Sequence, residues 1–337
     1  MDKLGVGIVG CGWVAEEHVK AFVNDERAEV RALVSRNRAN AERFRDRYDL
    51  NCTIGSDPEA MLRQDDVDIV VVCTPHHAHT DCAVAAAEAG KHVLVEKPMA
   101  LTVEDVRKQL DAVQKNNVKS LVSFVLHWNP LLMTIDRLIE QGIFGNIFMV
   151  EVDYLHRIWI TPEQKWLATR DQAGTAILAG GCHAIDALRW FARSAVEEVC
   201  AYQVQTENPI EYPGTISVNL KFEDGKIARS TTCLDVQMPY VFNIGVYGTE
   251  GAVRNDRLFA PKLCVEQRDF TTLPVVLPDS ADVAHHPFQG EAEHFLDCIL
   301  NDERPFPDFE DAAQTHLVCF AADLSAQEGR PVRIDEL

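Results

Sequence analysis

Over the first 125 residues, short apolar runs alternate with longer amphipathic ones. Leu4–Val9, Glu29–Ser35, Val67–Cys73, Lys91–Val95 and Lys119–Val125 read as strands. Trp13–Asn24, Arg38–Tyr48, His79–Ala89 and Thr102–Asn116 read as helices. Val67–Cys73 (VDIVVVC) is almost continuously apolar, as a parallel strand covered on both faces would be. Gly90 follows the Ala-rich helix where a C-terminal cap belongs. Strands alternating with helices predict an α/β domain with a doubly wound parallel sheet.

The pattern changes after about Phe124. Asn129–Gln141 keeps a helical period. Ile147–Tyr154, Glu198–Gln205, Thr215–Phe222, Ala228–Leu234, Val241–Tyr247 and Leu263–Glu266 then read as strands. Turn signals such as Glu223-Asp224-Gly225 separate them. A helical stretch, Gly174–Ala192, interrupts this series, and Gly290–Leu300 and Phe309–Glu328 close the chain as helices. The expectation is an α+β domain with a large open antiparallel sheet. The boundaries expected are 1–123 for the first domain and 124–337 for the second.

The length of 337 residues agrees with two domains at roughly 150 residues each. Apolar residues make up 47% and charged residues 25%, which excludes a disordered chain or a small disulfide scaffold. The net charge of −20 repels phosphate backbones and anionic lipid. It argues against nucleic acid or a membrane surface as the main partner. The ten cysteines are scattered singly, without a C-x-x-C pair, which suits a reducing cytoplasm. The opening MDKLGVGIVGCGW lacks the long apolar core of a signal peptide, and no stretch has the length of a membrane span. A cytoplasmic location is the expectation.

Gly10-Cys11-Gly12-Trp13-Val14-Ala15 matches G-x-G-x-x-A between the first strand and the first helix. Gly10 permits the tight turn, and Gly12 lets the backbone approach a pyrophosphate. Ala15 lets helix and strand pack closely. The helix N-terminus, from Trp13 and Val14 on, turns free N–H groups and a positive dipole toward phosphate. The first domain is therefore expected to be a Rossmann-type dinucleotide-binding domain. At the end of the second strand stand Ser35-Arg36-Asn37-Arg38, where NAD-binding sheets place an acid. A hydroxyl and two guanidiniums suit a 2′-phosphate, which favours NADP(H), with NAD(H) still open. Alternatively, Arg36 stacks on adenine and Arg38 is a solvated helix residue.

Two further segments carry chemistry: Thr74-Pro75-His76-His77-Ala78-His79, and Ala89-Gly90-Lys91-His92-Val93-Leu94-Val95-Glu96-Lys97-Pro98. Lys97 follows a parallel strand, at the sheet edge where open α/β folds bind ligands. A partly desolvated amine beside a nicotinamide's positive charge titrates lower and can exchange a proton with a reacting oxygen. Glu96 orients it, or the two form only a surface ion pair. With the phosphate loop, these segments resemble the Gfo/Idh/MocA family of NAD(P)-dependent oxidoreductases. Phe124–Pro130, Gly174–Trp190, Asn243–Gly251 and the closing GRPVRI extend the resemblance over essentially the whole chain.

The resemblance implies a hydride-transfer enzyme acting on a carbinol or carbonyl carbon of a sugar, cyclitol or related polyol. It implies that Lys97 is catalytic, that Lys97–Pro98 is cis, and that Thr74, Pro75, His76, His79 and Glu96 line the cofactor. Histidine 76 stands where the family commonly has Asn, and His79 resembles its helix-start histidine. His183, in Gly180-Gly181-Cys182-His183-Ala184-Ile185-Asp186, matches the family's acid/base histidine. The family's Asp or Asn one turn earlier is Ala179 here. Asp186 holds the histidine, binds substrate, or merely pairs with Arg189. His127 replaces a frequent Arg. Trp128 and Arg170 are candidates for substrate contact, Trp128 equally for a core position. Tyr154, His156, Arg157 and Trp166 are weaker candidates. The resemblance also implies a homodimer or homotetramer through the second domain's sheet, whose middle runs are apolar.

No metal site is expected, either from His76, His77 and His79 or from His285 and His286, since a metal needs several ligands in suitable geometry. Two other readings stay open. One is an NAD-dependent glycoside hydrolase with no net redox change. The other is a non-catalytic cofactor-binding sensor, which Ala179 keeps in play.

Overall fold

The computed structural model describes residues 3–278 and 286–337. They form two compact units, Met1–Val125 with Pro287–Gln314, and Leu126–His286 with Thr315–Leu337. Residues 287–314, expected in the second domain, thus pack with the first unit.

The first unit runs β1 (Leu4–Val9), α1 (Trp13–Val23), β2 (Ala28–Val34), α2 (Arg38–Tyr48), β3 (Thr53–Gly55) and α3 (Pro58–Leu62). It continues β4 (Ile69–Val72), α4 (His79–Glu88), β5 (His92–Val95), α5 (Val103–Asn116) and β6 (Ser120–Val122). The six strands lie in the order β3-β2-β1-β4-β5-β6, all parallel. Every residue of β4 is fully buried, as its unbroken apolar run predicts for a strand covered on both faces. Asn37 caps α2 by accepting from the Ala39 N–H, and Thr102 caps α5 by accepting from Asp105. The strand order reverses between β1 and β4, which opens a ligand crevice at their carboxyl ends. The short strand β3 was not expected from sequence.

The second unit contains α6 (Pro130–Glu140), β7 (Ile147–Leu155), α7 (Arg170–Ala173) and α8 (Cys182–Ala192). Then follow β8 (Val196–Val204), β9 (Thr215–Phe222), β10 (Ile227–Cys233), β11 (Val241–Gly248), β12 (Ala252–Arg254), β13 (Arg257–Phe259), β14 (Thr271–Thr272) and β15 (Val332–Arg333). Its sheet has the order β14-β13-β12-β11-β7-β10-β9-β8-β15. All pairings are antiparallel except β7 with β10, so the sheet is mixed rather than wholly antiparallel. Leu263–Glu266, expected as a strand, forms turns. Apolar residues of the middle strands face inward: Val150, Val152, Val218, Leu220, Ile244 and Val246 are all buried. The opposite face carries Ser217, Asn219, Lys221 and an Arg229–Glu151 ion pair. The apolar middle runs, read from sequence alongside an oligomer interface on this sheet, form its buried face.

Helix α9 (Phe288–Leu300) belongs to the first unit, and the division between residues 314 and 315 falls inside α10 (Phe309–Glu328). No helix of the described residues is long and apolar enough to cross a membrane.

Candidate active site

In the first unit, the loop after β1 turns at Gly10, whose φ is +94°. A Cβ there would lie 2.4 Å from the Cys73 carbonyl oxygen, so only glycine fits. Gly12 is different: a Cβ built on it meets nothing within 4 Å. It caps α1 without a side-chain hydrogen bond, which leaves the N–H groups of the first turn available to a ligand. Trp13 is exposed beside it and Val14 partly so. A pyrophosphate fits this open, donor-rich cradle. After β2, Ser35 is buried and Arg36 exposed, while Arg38 donates to Glu42 at 2.8 Å. Of the two expected phosphate grips, Arg36 has the better claim.

The loops after β4 and β5 are tied together by His79, which is fully buried. Its Nδ1 lies 2.8 Å from the Pro98 carbonyl oxygen and its Nε2 2.8 Å from that of Thr74, and the N–H of the neutral ring donates to one of them. Burial pushes the imidazole below its ordinary pKa, against the pull of the two carbonyls and Glu96. With both nitrogens engaged, His79 supports the loops and offers no ring nitrogen to a cofactor. Thr74 and Pro75 are partly exposed and His76 is buried. The Lys97–Pro98 peptide is cis and Lys97 is partly exposed. Glu96 is buried, so the surface ion pair with Lys97 is corrected. Its carboxylate accepts from His18 at 2.9 Å and from the Lys97 backbone N–H at 3.2 Å. Burial pushes this carboxyl up, but the His18 hydrogen bond and the charges of His18, Lys97 and His79 hold it below its ordinary value.

In the second unit, a π-helical turn, Ile177–Gly181, leads into α8. Such a bulge re-aims the residues that follow it. A Cβ on Gly180 would lie 2.6 Å from the Tyr154 ring, and one on Gly181 would lie 2.1 Å from Thr232 Oγ1. The two glycines therefore bring the start of α8 tight against the sheet. His183 is buried and lies parallel to Tyr154, with ring centroids 6.4 Å apart. Tyr240 and His156 pack on Tyr154 at 5.4 Å and 5.2 Å. Asp186 bonds His127 Nε2 at 2.6 Å and accepts from Thr315 Oγ1 at 3.2 Å. Arg189 donates to Thr315 at 2.7 Å. His127 and Thr315 are thus partners of Asp186 that were not among the expected alternatives. His127 also stacks on Trp190, 4.1 Å between centroids. Trp128 is partly exposed beside it, and Arg170 is exposed at the start of α7. Arg157 lies 4.8 Å over the Trp159 ring.

Two segments of the chain match two models of one family. The oxidoreductase family model with an NAD-binding Rossmann fold matches residues 4–124. The GFO/IDH/MocA C-terminal domain model matches residues 132–254. The chain belongs to the Gfo/Idh/MocA oxidoreductase family. It is similar to D-apiose dehydrogenase of Paraburkholderia graminis, 25% identical over 343 residues, covering 98% of this chain and 89% of that one. It is also similar to levoglucosan dehydrogenase of Pseudarthrobacter phenanthrenivorans, 29% identical over 269 residues, covering 76% and 68%. A solved structure of levoglucosan dehydrogenase in complex with NADH gives a TM-score of 0.89 at 22% identity, covering 99% of each chain. At that identity the likeness shows the fold.

Within this Gfo/Idh/MocA chain, Gly10, Gly12, Ser35, Arg36, Thr74 and Lys97 all follow strand ends at one edge of the parallel sheet. His183, Tyr154, His156 and Tyr240 gather in the second unit. Sequence reasoning missed Tyr240, Thr315, His18 and Glu291. The last two carried a readable signal, being ionisable residues on otherwise apolar helix stripes: Val14, His18, Val19, Phe22, and Phe288, Glu291, Ala292, Phe295. Among the described residues, no three His, Cys, Asp or Glu side chains are grouped to hold a metal ion. His285 lies outside the described residues.

Proposed function

We propose that this oxidoreductase is a dehydrogenase or reductase acting on a CH–OH group of a sugar, cyclitol or related polyol. The observation that carries the reading is the placement of Lys97 directly after β5, on the same sheet edge as the open Gly10–Gly12 cradle. The dehydrogenase names of the relatives support the substrate class. When bound, a nicotinamide cofactor supplies the group that gives or takes hydride. The first turn of α1 would hold its pyrophosphate, and Arg36 would grip a 2′-phosphate, which favours NADP(H) while leaving NAD(H) usable. The Lys97 ammonium hydrogen-bonds the reacting oxygen and stabilises the charge developing there. His183 gives or takes the proton, with its ring beside that of Tyr154. Trp128, His156 and Tyr240 are assigned to substrate contact.

The test is absorbance at the nicotinamide band over a panel of sugars and cyclitols, with each cofactor in turn. Lys97→Met is expected to cut kcat by about a thousandfold, within the range seen when a positioned charge or acid/base group is removed. Full turnover in that variant would overturn the role of Lys97. We also propose a homodimer or homotetramer through the nine-stranded sheet, where Tyr202, Val204 and Ile227 are each more than half exposed. A monomer by analytical ultracentrifugation would overturn it.

A further inference from the structure

Three buried ionisable side chains stand in line behind the Lys97 loop, all within the first unit. Glu96 leaves the end of β5, His18 comes from α1 and Glu291 from α9. Their exposures are 7%, 1% and 0%, so none has bulk water to solvate a charge. His18 Nε2 lies 2.9 Å from one Glu96 oxygen, and the other oxygen accepts from the Lys97 backbone N–H at 3.2 Å. On the far side of the ring, His18 Nδ1 faces Glu291 Oε2 at 3.9 Å. Ser123 Oγ donates to that same oxygen at 3.1 Å. Glu291 Oε1 is buried with no hydrogen-bond partner among the described residues. Phe288 closes the pocket edge-on to His18, 4.9 Å between centroids.

An acid in so dry a place is expensive unless something uses it. Two carboxylates sharing one buried imidazole cannot both stay ionised without a large penalty. The environment separates them. Burial pushes Glu291 well above the ordinary carboxyl range, repulsion from Glu96 adds to this, and Ser123 opposes it only in part. Glu96 is held low. Glu96 therefore keeps the charge and Glu291 the proton. His18 Nε2 donates to the Glu96 carboxylate, and the polar Glu291 carboxyl faces Nδ1 across 3.9 Å, a contact longer than a hydrogen bond.

We propose that Glu291 is a positioning residue for Lys97. From α9 it holds His18 in the orientation that donates to Glu96, and Glu96 in turn fixes the Lys97 backbone. The proposal rests on the role given to Lys97 above, but it can fail separately. Glutamine at 291 keeps a neutral polar group of the same shape against His18, whereas leucine keeps the volume and removes the polar group.

The experiment uses the full chain as wild type, Glu291→Gln, Glu291→Leu and Lys97→Met. Lysine amines are labelled briefly with acetic anhydride over a pH series. The Lys97 signal is read by mass spectrometry against exposed Lys115. Glu291→Leu is expected to change the Lys97-to-Lys115 ratio by about threefold at fixed pH, the effect of half a pKa unit, while Glu291→Gln leaves it unchanged. With a turned-over polyol, Glu291→Leu should lower kcat about tenfold, near 1.4 kcal/mol, with cofactor KM little changed. Recovery of both readouts in Glu291→Gln supports positioning over mere core filling. A Glu291→Leu protein that melts like wild type and leaves both readouts unchanged overturns the proposal. If that variant does not fold, His18→Gln reads the same link, and an unmoved labelling ratio overturns it equally. A ratio that moves while Lys97→Met turns over fully supports the relay and overturns the catalytic role of Lys97.

Discussion

Gly10 and Gly12 stand two residues apart under opposite constraints. At Gly10 a side chain would meet both a positive φ and the Cys73 carbonyl. Gly10→Ala should therefore cost about 1–3 kcal/mol or more, read as a lower urea midpoint. At Gly12 a side chain meets only open space. Gly12→Ala should keep stability within about 0.5 kcal/mol and weaken cofactor binding roughly tenfold, because the methyl occupies the cradle. Fluorescence titration checks this; unchanged affinity would remove the cradle assignment. These two glycines were legible in the sequence because spacing alone implies their geometry. The partner of Asp186 was not. Helical spacing offers Arg189 and His183 as neighbours, but it does not reveal the bonds to His127 and Thr315, which the chain brings from 59 and 129 residues away.

Among the elements, the widened turn Ile177–Gly181 begins just after Thr175, whose hydroxyl donates to Asp323 of α10 at 2.7 Å. Burial pushes this carboxyl from 3.8 to about 7, opposed by the Thr175 hydrogen bond and by Arg170. The folded pKa lies above the unfolded one, so the fold favours the protonated acid. That contribution is complete below about pH 3.8 and is lost as pH rises through about 7. Asp323→Asn should then gain stability relative to wild type steadily across that window, as urea midpoints at several pH values would show. A constant difference would mean that Asp323 ionises normally. Helical and strand periods made most elements readable. Thr53–Gly55 escaped because three residues carry no period, and Leu263–Glu266 misled because an apolar pair in a turn resembles a short strand.

At the scale of the molecule, a charge of −20 makes Arg36 an exception on a surface that repels phosphate. If Arg36 grips a 2′-phosphate, raising the salt from about 20 to 200 mM should weaken NADP(H) binding more steeply than NAD(H) binding. Equal slopes would remove Arg36 from that role. Two domains were legible from the change of period near Phe124. The membership of 287–314 was not, because an apolar helix stripe shows that a partner exists without naming it. That membership has a consequence for the order of synthesis. A ribosome delivers β1 to β6 first, then the strands of the second unit, and only afterwards α9. At about 5–20 residues per second, Glu96 and His18 wait on the order of ten seconds for the helix that seals them. The nucleotide half, first to be made, is among the last parts of the chain to be finished.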